Sequence, residues 1–204
     1  MEDMPGMLST IIAVCVLILV LTGWRGILFD SVSPVLLLGG VLLWMGLAGR
    51  MVTMGPVKID AAWALWLTVA IACGWDYFRP GRDSGPRLLL LSQMLILTCC
   101  YFILEMERYT GRGFIPIIPL WGYAILAGIV VGISTPSITG QWMFLTISLW
   151  IGEGLIQWRV TGMSGLELGS LSTFDVWWLA FILARCCTAA IMIFQQLFSL
   201  RSSE

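Results

Sequence analysis

The sequence predicts an all-α fold: a polytopic transmembrane helical bundle of about seven spans, built as one integral membrane domain over residues 1–204. Three observations predict it. Of the residues, 59% are hydrophobic and 11% charged, against roughly 45–50% and 25% in soluble domains. The mean hydropathy is +0.93. The apolar residues gather into runs close to the about 20 residues that a helix needs to cross hydrocarbon about 30 Å thick, and glycine, proline and charge gather between the runs.

The first run is 7–24, stopped by Arg25. Ser33-Pro34 then gives an N-cap with proline at the first helical position, which opens the second run, 34–51. The connector from Val52 to Asp60 carries Gly55-Pro56 and Lys58, the only lysine. Asp60 is placed to cap the third run, 61–77. The loop from Asp76 to Arg87 holds Pro80-Gly81, Gly85-Pro86, Arg79, Arg82 and Arg87, turn residues and charges that belong in water. The fourth run is 88–104, ending at Glu105, Glu107, Arg108 and Arg112. Pro116 and Pro119 fall in or just before the first turn of the fifth, 115–133, where a missing N–H matters least. The sixth is 141–158. Ser172 and Asp175, at capping-box spacing, introduce the seventh, 174–198. The connectors leave room for turns or short interfacial helices only.

Tryptophans Trp24, Trp75, Trp121, Trp142, Trp158, Trp177 and Trp178 sit near predicted ends, as in an interfacial aromatic belt. The six cysteines all fall inside apolar runs, which reads as small hydrophobes buried between helices rather than as a disulfide framework. The acidic Glu2 and Asp3 and the lack of a small-residue cleavage site argue against a signal peptide, so the first run is expected to stay. Lysine and arginine divide evenly between the two sides. Arg50, Lys58, Arg108, Arg112 and Arg159 lie on one, and Arg25, Arg79, Arg82, Arg87 and Arg201 on the other, so the count is tied, and the flanks of the first run, acidic before and basic after, set the expectation of an N-terminus outside and a C-terminus inside.

Net charge is −1, which offers no basic face to nucleic acid, and there is no histidine. That absence removes the residue required by rhomboid-like serine sites, zinc metalloproteases and glutamate-dependent prenyl-protein endopeptidases. Rhodopsin-type proteins need a lysine in the last span, where this chain has Arg185. No phosphate loop or dinucleotide fingerprint is present. No catalytic, cofactor-binding or metal-binding residue is therefore assigned.

Two constellations stand out. Ala124, Gly128 and Gly132, spaced by four, put small residues along one face of the fifth helix, the pattern that lets two backbones approach. The partner is a neighbouring span or a second copy of the chain. In the sixth run Thr146, Glu153 and Gln157 share a face. In the seventh Arg185, Thr188, Met192 and Gln195 do the same. A charge in hydrocarbon costs roughly 2.5–3.5 kcal/mol on insertion scales, so Glu153 and Arg185 are expected to face a partner or a water-filled cavity. Measured from their shared connector, the two heads converge in depth, which predicts an ion pair clamping the two helices or lining a solute path. Gln93, Tyr101 and Glu105 form a third stripe on the fourth helix.

In size, span number and lack of a soluble domain the chain resembles the small YphA-type membrane proteins of spore-forming Gram-positive bacteria. The resemblance covers the hydropathy layout and transfers no residue. It implies a bacterial plasma membrane and no assigned activity. The expected function is that of a non-enzymatic accessory or structural membrane component. Its partners would be the lipid bilayer and other membrane proteins or itself. The alternative is a small-solute or proton-coupled transporter using Glu153 and Arg185.

Overall fold

Apolar runs this long have one economical way to satisfy their backbone, the helix, whose hydrogen bonds all lie within the segment. A computed structural model describes residues 6–23, 32–78, 85–110, 120–162 and 165–201. Among the described residues there are seven helices: α1 (Met7–Leu21), α2 (Pro34–Leu47), α3 (Ala61–Phe78), α4 (Gly85–Thr110), α5 (Leu120–Ser134), α6 (Ile138–Thr161) and α7 (Leu171–Arg201). Each falls on one of the seven apolar runs. Trp24, the stop at Arg25, the loop residues Arg79, Pro80, Gly81 and Arg82, and Arg112, Pro116 and Pro119 lie outside the described residues. Two helical stretches, Leu88–Glu107 and Leu171–Phe198, are long and apolar enough to cross a membrane. Shorter apolar stretches occupy Met7–Leu21, Pro34–Leu47, Ala61–Trp75 and Trp121–Ser134.

The predicted caps hold at two starts. Ser33 is the N-cap of α2, its hydroxyl accepting from the Leu36 amide at 3.4 Å, with proline in the first turn. Asp60 caps α3, its Oδ1 accepting from the amides of Ala62 at 2.8 Å and Trp63 at 3.3 Å. At α7 the cap is Ser170, not Ser172: the Ser170 hydroxyl accepts from the Thr173 amide at 3.2 Å. Asp175 is thereby released for another task.

The connectors hold more than turns. β1 (Met51–Met54) and β2 (Val57–Asp60) form an antiparallel hairpin, and β3 (Leu166–Leu168) joins β2 in parallel, in the order β1-β2-β3. Gly55, at φ 63°, supplies the left-handed residue of the two-residue hairpin turn, a conformation that favours glycine. Lys58 stands opposite Glu167 in the β2–β3 register, and the two form an ion pair of 2.7 Å with both side chains about half exposed. Strands of three or four residues carry too little alternation to be recognised, and the β2–β3 pairing joins connectors more than a hundred residues apart.

Helix α6 runs through the middle. It buries residues along nearly its whole circumference, from Gly140 to Ile156, and packs against α3, α4, α5 and α7. It is also the helix richest in buried polar groups, holding Gln141, Thr146, Ser148 and Glu153. The tightest approach is between α5 and α7. A Cβ placed on Gly128 would fall 2.6 Å from the Leu183 Cβ and 2.8 Å from the Ala180 oxygen. One on Gly132 would fall 2.7 Å from the Ala184 oxygen. The small-residue face is thus occupied by a helix of the same chain and is not open to a second copy.

Two sequence expectations are corrected by the core. Trp177, fully buried, and Trp178, 3% exposed, belong to no belt. With the half-buried Trp142 they join Trp44, Trp63, Trp66, Phe174 and Phe181 in one aromatic cluster of mostly edge-to-face rings. Hydropathy places tryptophan by its polar tip, whereas here the large rings fill the space between helices. Trp75, Trp121 and Trp158 do point outward. No disulfide joins the cysteines; Cys15, Cys99 and Cys186 are exposed, and Cys73, Cys100 and Cys187 are partly buried.

Candidate functional site

Helices α1, α3 and α7 begin at the same end of the bundle, the end that carries the sheet. Each start leaves amide groups without an intrahelical partner and gathers partial positive charge. Each is closed by a carboxylate. Asp175, in the second turn of α7, reaches the start of α1: its oxygens accept from the Gly6 amide at 2.8 Å, the Ser9 amide at 2.6 Å and the Ser9 hydroxyl at 2.7 Å. Asp60 closes α3 and also accepts from the Gly49 amide at 2.6 Å, tying the end of α2 to the sheet. Burial holds the Asp60 carboxyl above the usual aspartate range, against the pull of its three amide hydrogen bonds.

Glu153 closes α7. The residue is 4% exposed, and its oxygens accept from the amides of Gly169 at 2.9 Å and Ser170 at 3.1 Å and from the Thr173 hydroxyl at 2.8 Å. Beside it lies a cavity of about 120 Å³ between α4, α6 and the first turn of α7. Tyr101, Glu105 and Tyr109, at steps of four along α4, form one wall. Glu153 and Gln157 of α6 and Ser172 of α7 face them. Gln93, further up α4, is half-buried and does not line it.

Arg185 stands elsewhere. Its Nη1 donates to the Pro136 carbonyl at 3.1 Å and to Gln141 Oε1 at 3.4 Å. Gln141 donates from Nε2 to the Thr135 carbonyl at 2.7 Å and to the Thr188 hydroxyl at 2.8 Å. Thr188 donates to backbone oxygens of Gly132 and Ala184, both at 3.0 Å. This cluster fastens α7 to the turn between α5 and α6.

The predicted Glu153–Arg185 ion pair is therefore corrected. Glu153 shares a layer with the first turn of α7, and Arg185 shares one with the first turn of α6. Twelve residues of α6 separate Gln141 from Glu153, about 18 Å of helix rise. The shared connector is not a common level for the two helices. In fact α6 continues about two turns past the start of α7, so Glu153 lies level with Ser170, not deep below it. Of the remaining candidates, Thr146 accepts from the Trp177 indole N–H at 3.0 Å. Gln157 lines the cavity. Met192 and Gln195 are exposed on the last turns of α7.

Changing Glu153 or Arg185 to glutamine is expected to cost on the order of 2 kcal/mol or more each, because buried hydrogen bonds to a charged group are lost and their partners stranded. Sites this far apart with no shared partner add to within about 0.5 kcal/mol. The Glu153→Gln/Arg185→Gln double variant should therefore lose the sum of the two single losses in thermal unfolding in detergent. Recovery in the double would restore the ion pair.

The sequence reading missed Gln141, Ser170, Thr173 and the role of Asp175. Gln141 carried a usable signal: a glutamine one turn inside an uncharged helix start, on the helix richest in polar residues. Among the described residues no group of three or more histidine, cysteine or acidic side chains is placed to hold a metal ion. Comparison with protein-family models, with curated proteins and with solved structures gives no match.

Proposed function

We propose that the chain is a multi-pass integral membrane protein of seven spans that acts as a non-enzymatic accessory or structural component of a plasma membrane. One observation carries this reading: apolar side chains cover the outside of the helices as well as the core, while polar ones are withdrawn between helices. Large apolar side chains point outward from helix after helix, among them Ile11 and Ile18 of α1, Leu42 and Leu43 of α2, Leu95 and Ile96 of α4, and Ile129 and Ile133 of α5. The polar side chains Ser9, Gln141, Thr146, Ser148, Glu153, Arg185 and Thr188 are buried. Water would favour the opposite arrangement, and lipid favours this one. Glu153 holds a helix start and Arg185 a turn, which supports a structural role for them. A transporter working through both would need them on one path, and they occupy separate layers. The partners of such a protein are lipid and other membrane proteins.

The outward cysteines give the test. Cys15, Cys99 and Cys186 lie on the surfaces of α1, α4 and α7, so in solution they would react. In intact membranes a water-soluble maleimide is expected to leave all three unmodified and to label them after denaturation in detergent. Rapid labelling in intact membranes would put those faces in water and end the seven-span reading. Purified protein in liposomes is expected to give no proton flux above empty vesicles. A flux abolished by Glu153→Gln would favour the transporter.

A further inference from the structure

We propose that strand β1 is the docking edge for an extended segment of a partner protein, which adds a strand to the sheet. The register shows which backbone groups are open. The Ala61 amide donates to the Arg50 carbonyl at 2.9 Å, so residues 50 and 61 form a hydrogen-bonded pair. Such pairs alternate along an antiparallel ladder. Val52 therefore exchanges bonds with Ile59 and Met54 with Val57, whereas Met51 and Thr53 turn their N–H and C=O groups away from β2. Among the described residues no hydrogen bond reaches these outward groups. The opposite edge is closed: β3 lies against the last turns of α6, where the Thr161 hydroxyl donates to the Gly165 carbonyl at 3.2 Å and the Gly169 amide donates to Glu153 at 2.9 Å. β1 carries none of the devices that guard an open edge, for Met51–Met54 holds no charge, proline or bulge.

The side chains say what the added strand carries. Val52, Met54, Val57, Ile59, Leu166 and Leu168 share one face of the sheet. Val57, Ile59 and Leu166 pack against the core and Leu168 is buried, but Val52 and Met54 stay 44% and 64% exposed. The apolar face thus runs on past its cover. Arg50, at the foot of β1 on the same face, is exposed and forms no ion pair among the described residues. The matching segment runs antiparallel to β1, with apolar residues beside Met54 and Val52 and a carboxylate beside Arg50.

A second copy of the chain does not fit this edge. Gly165 stands beside Thr161 and Gly169 beside Glu153, so β3 runs along α6 in the opposite direction. β2 is parallel to β3 and β1 antiparallel to β2, so β1 runs outward, as α6 does. Two copies inserted the same way would set their β1 strands parallel, the less stable pairing. A segment of another protein that returns toward the bundle meets β1 antiparallel, and its backbone answers every outward group. The inference rests on the reading of the chain as an accessory component, and names the surface by which it holds a partner.

The test uses the purified full chain in detergent and a capped, fluorescently labelled peptide, Val-Thr-Val-Thr-Glu. Its order sets valines beside Met54 and Val52 and the glutamate beside Arg50. Binding is read by anisotropy. Run in detergent, it does not depend on the number of spans, which the cysteine labelling decides. A saturable rise is expected for the wild type. Thr53→Pro removes an N–H that points away from β2, so it should weaken binding about tenfold or more and leave the unfolding midpoint near the wild-type value. Methylating the backbone nitrogens of both peptide threonines should weaken binding as much, with the protein unchanged. Arg50→Gln should weaken it about threefold. No saturable binding, or equal binding by Thr53→Pro and by the methylated peptide, overturns the proposal. So does a wild-type dimer that Thr53→Pro dissociates, which would give the edge to a second copy.

Discussion

Gly169→Ala is expected to be among the most damaging single changes in the chain. Gly169 leaves β3 at φ 86°, a backbone conformation that costs a residue with a side chain roughly 1–2 kcal/mol. The added methyl would lie 2.6 Å from the Trp63 Cβ and 2.7 Å from the Asp60 Cβ, inside the start of α3. The Gly169 amide also donates to Glu153, so moving the backbone to relieve the overlap would break the closure of α7. Together these should cost about 3–5 kcal/mol, at the high end for a point change. Gly162 provides the control. It too has a positive φ, 69°, but a Cβ there meets nothing within 4 Å among the described residues. Gly162→Ala should lose only the backbone part. Equal unfolding midpoints for the two variants would mean that the contact between β3 and α3 is looser than described.

Gly128→Leu should separate α5 from α7. Even the first carbon added would lie 2.8 Å from the Ala180 carbonyl oxygen, and backbone cannot rotate aside as a side chain can. Overpacking of a close-packed site costs about 1–3 kcal/mol, and the bulk of leucine puts this change at or above the top of that range. The shift would pass to the neighbouring Gly132 and so to the Thr188 hydrogen bond that Gly132 accepts. Ala127, an apparent off-face control by helical angle, is itself fully buried, so Gly40 on α2, where an added Cβ meets nothing within 4 Å among the described residues, is the better comparison. Gly40→Leu should leave the folded yield in detergent unchanged or raise it. A Gly128→Leu protein as stable as Gly40→Leu would remove the reason to single out the α5–α7 contact.

The helices were legible because a run of apolar residues constrains its own backbone, and Ser33 and Asp60 announced their starts by local spacing. What lay beyond local reach was not legible. The partners of Glu153 are backbone amides, which have no sequence signature. Those of Arg185 are a carbonyl in a connector and a glutamine that looked like a helix boundary. Asp175 was read as a cap for the helix it belongs to, and it caps another. The tryptophans obeyed two rules at once, belt and packing, and composition could not divide them. The cavity was half visible: Tyr101 and Glu105 share a face of α4, but its opposite wall depends on how far α6 overshoots the start of α7.

The hydrogen bonds from Gly6 and Ser9 to Asp175 bear on biogenesis. A ribosome releases α1 before α7. Until α7 emerges, the leading amides of α1 lack the Asp175 carboxylate, and α1 waits with those bonds open. The joint that finishes α1 is therefore made only after α1 to α6 have been translated. A nascent chain stalled before α7 carries an α1 whose start is unfinished, a local difference between it and a chain that has passed that point.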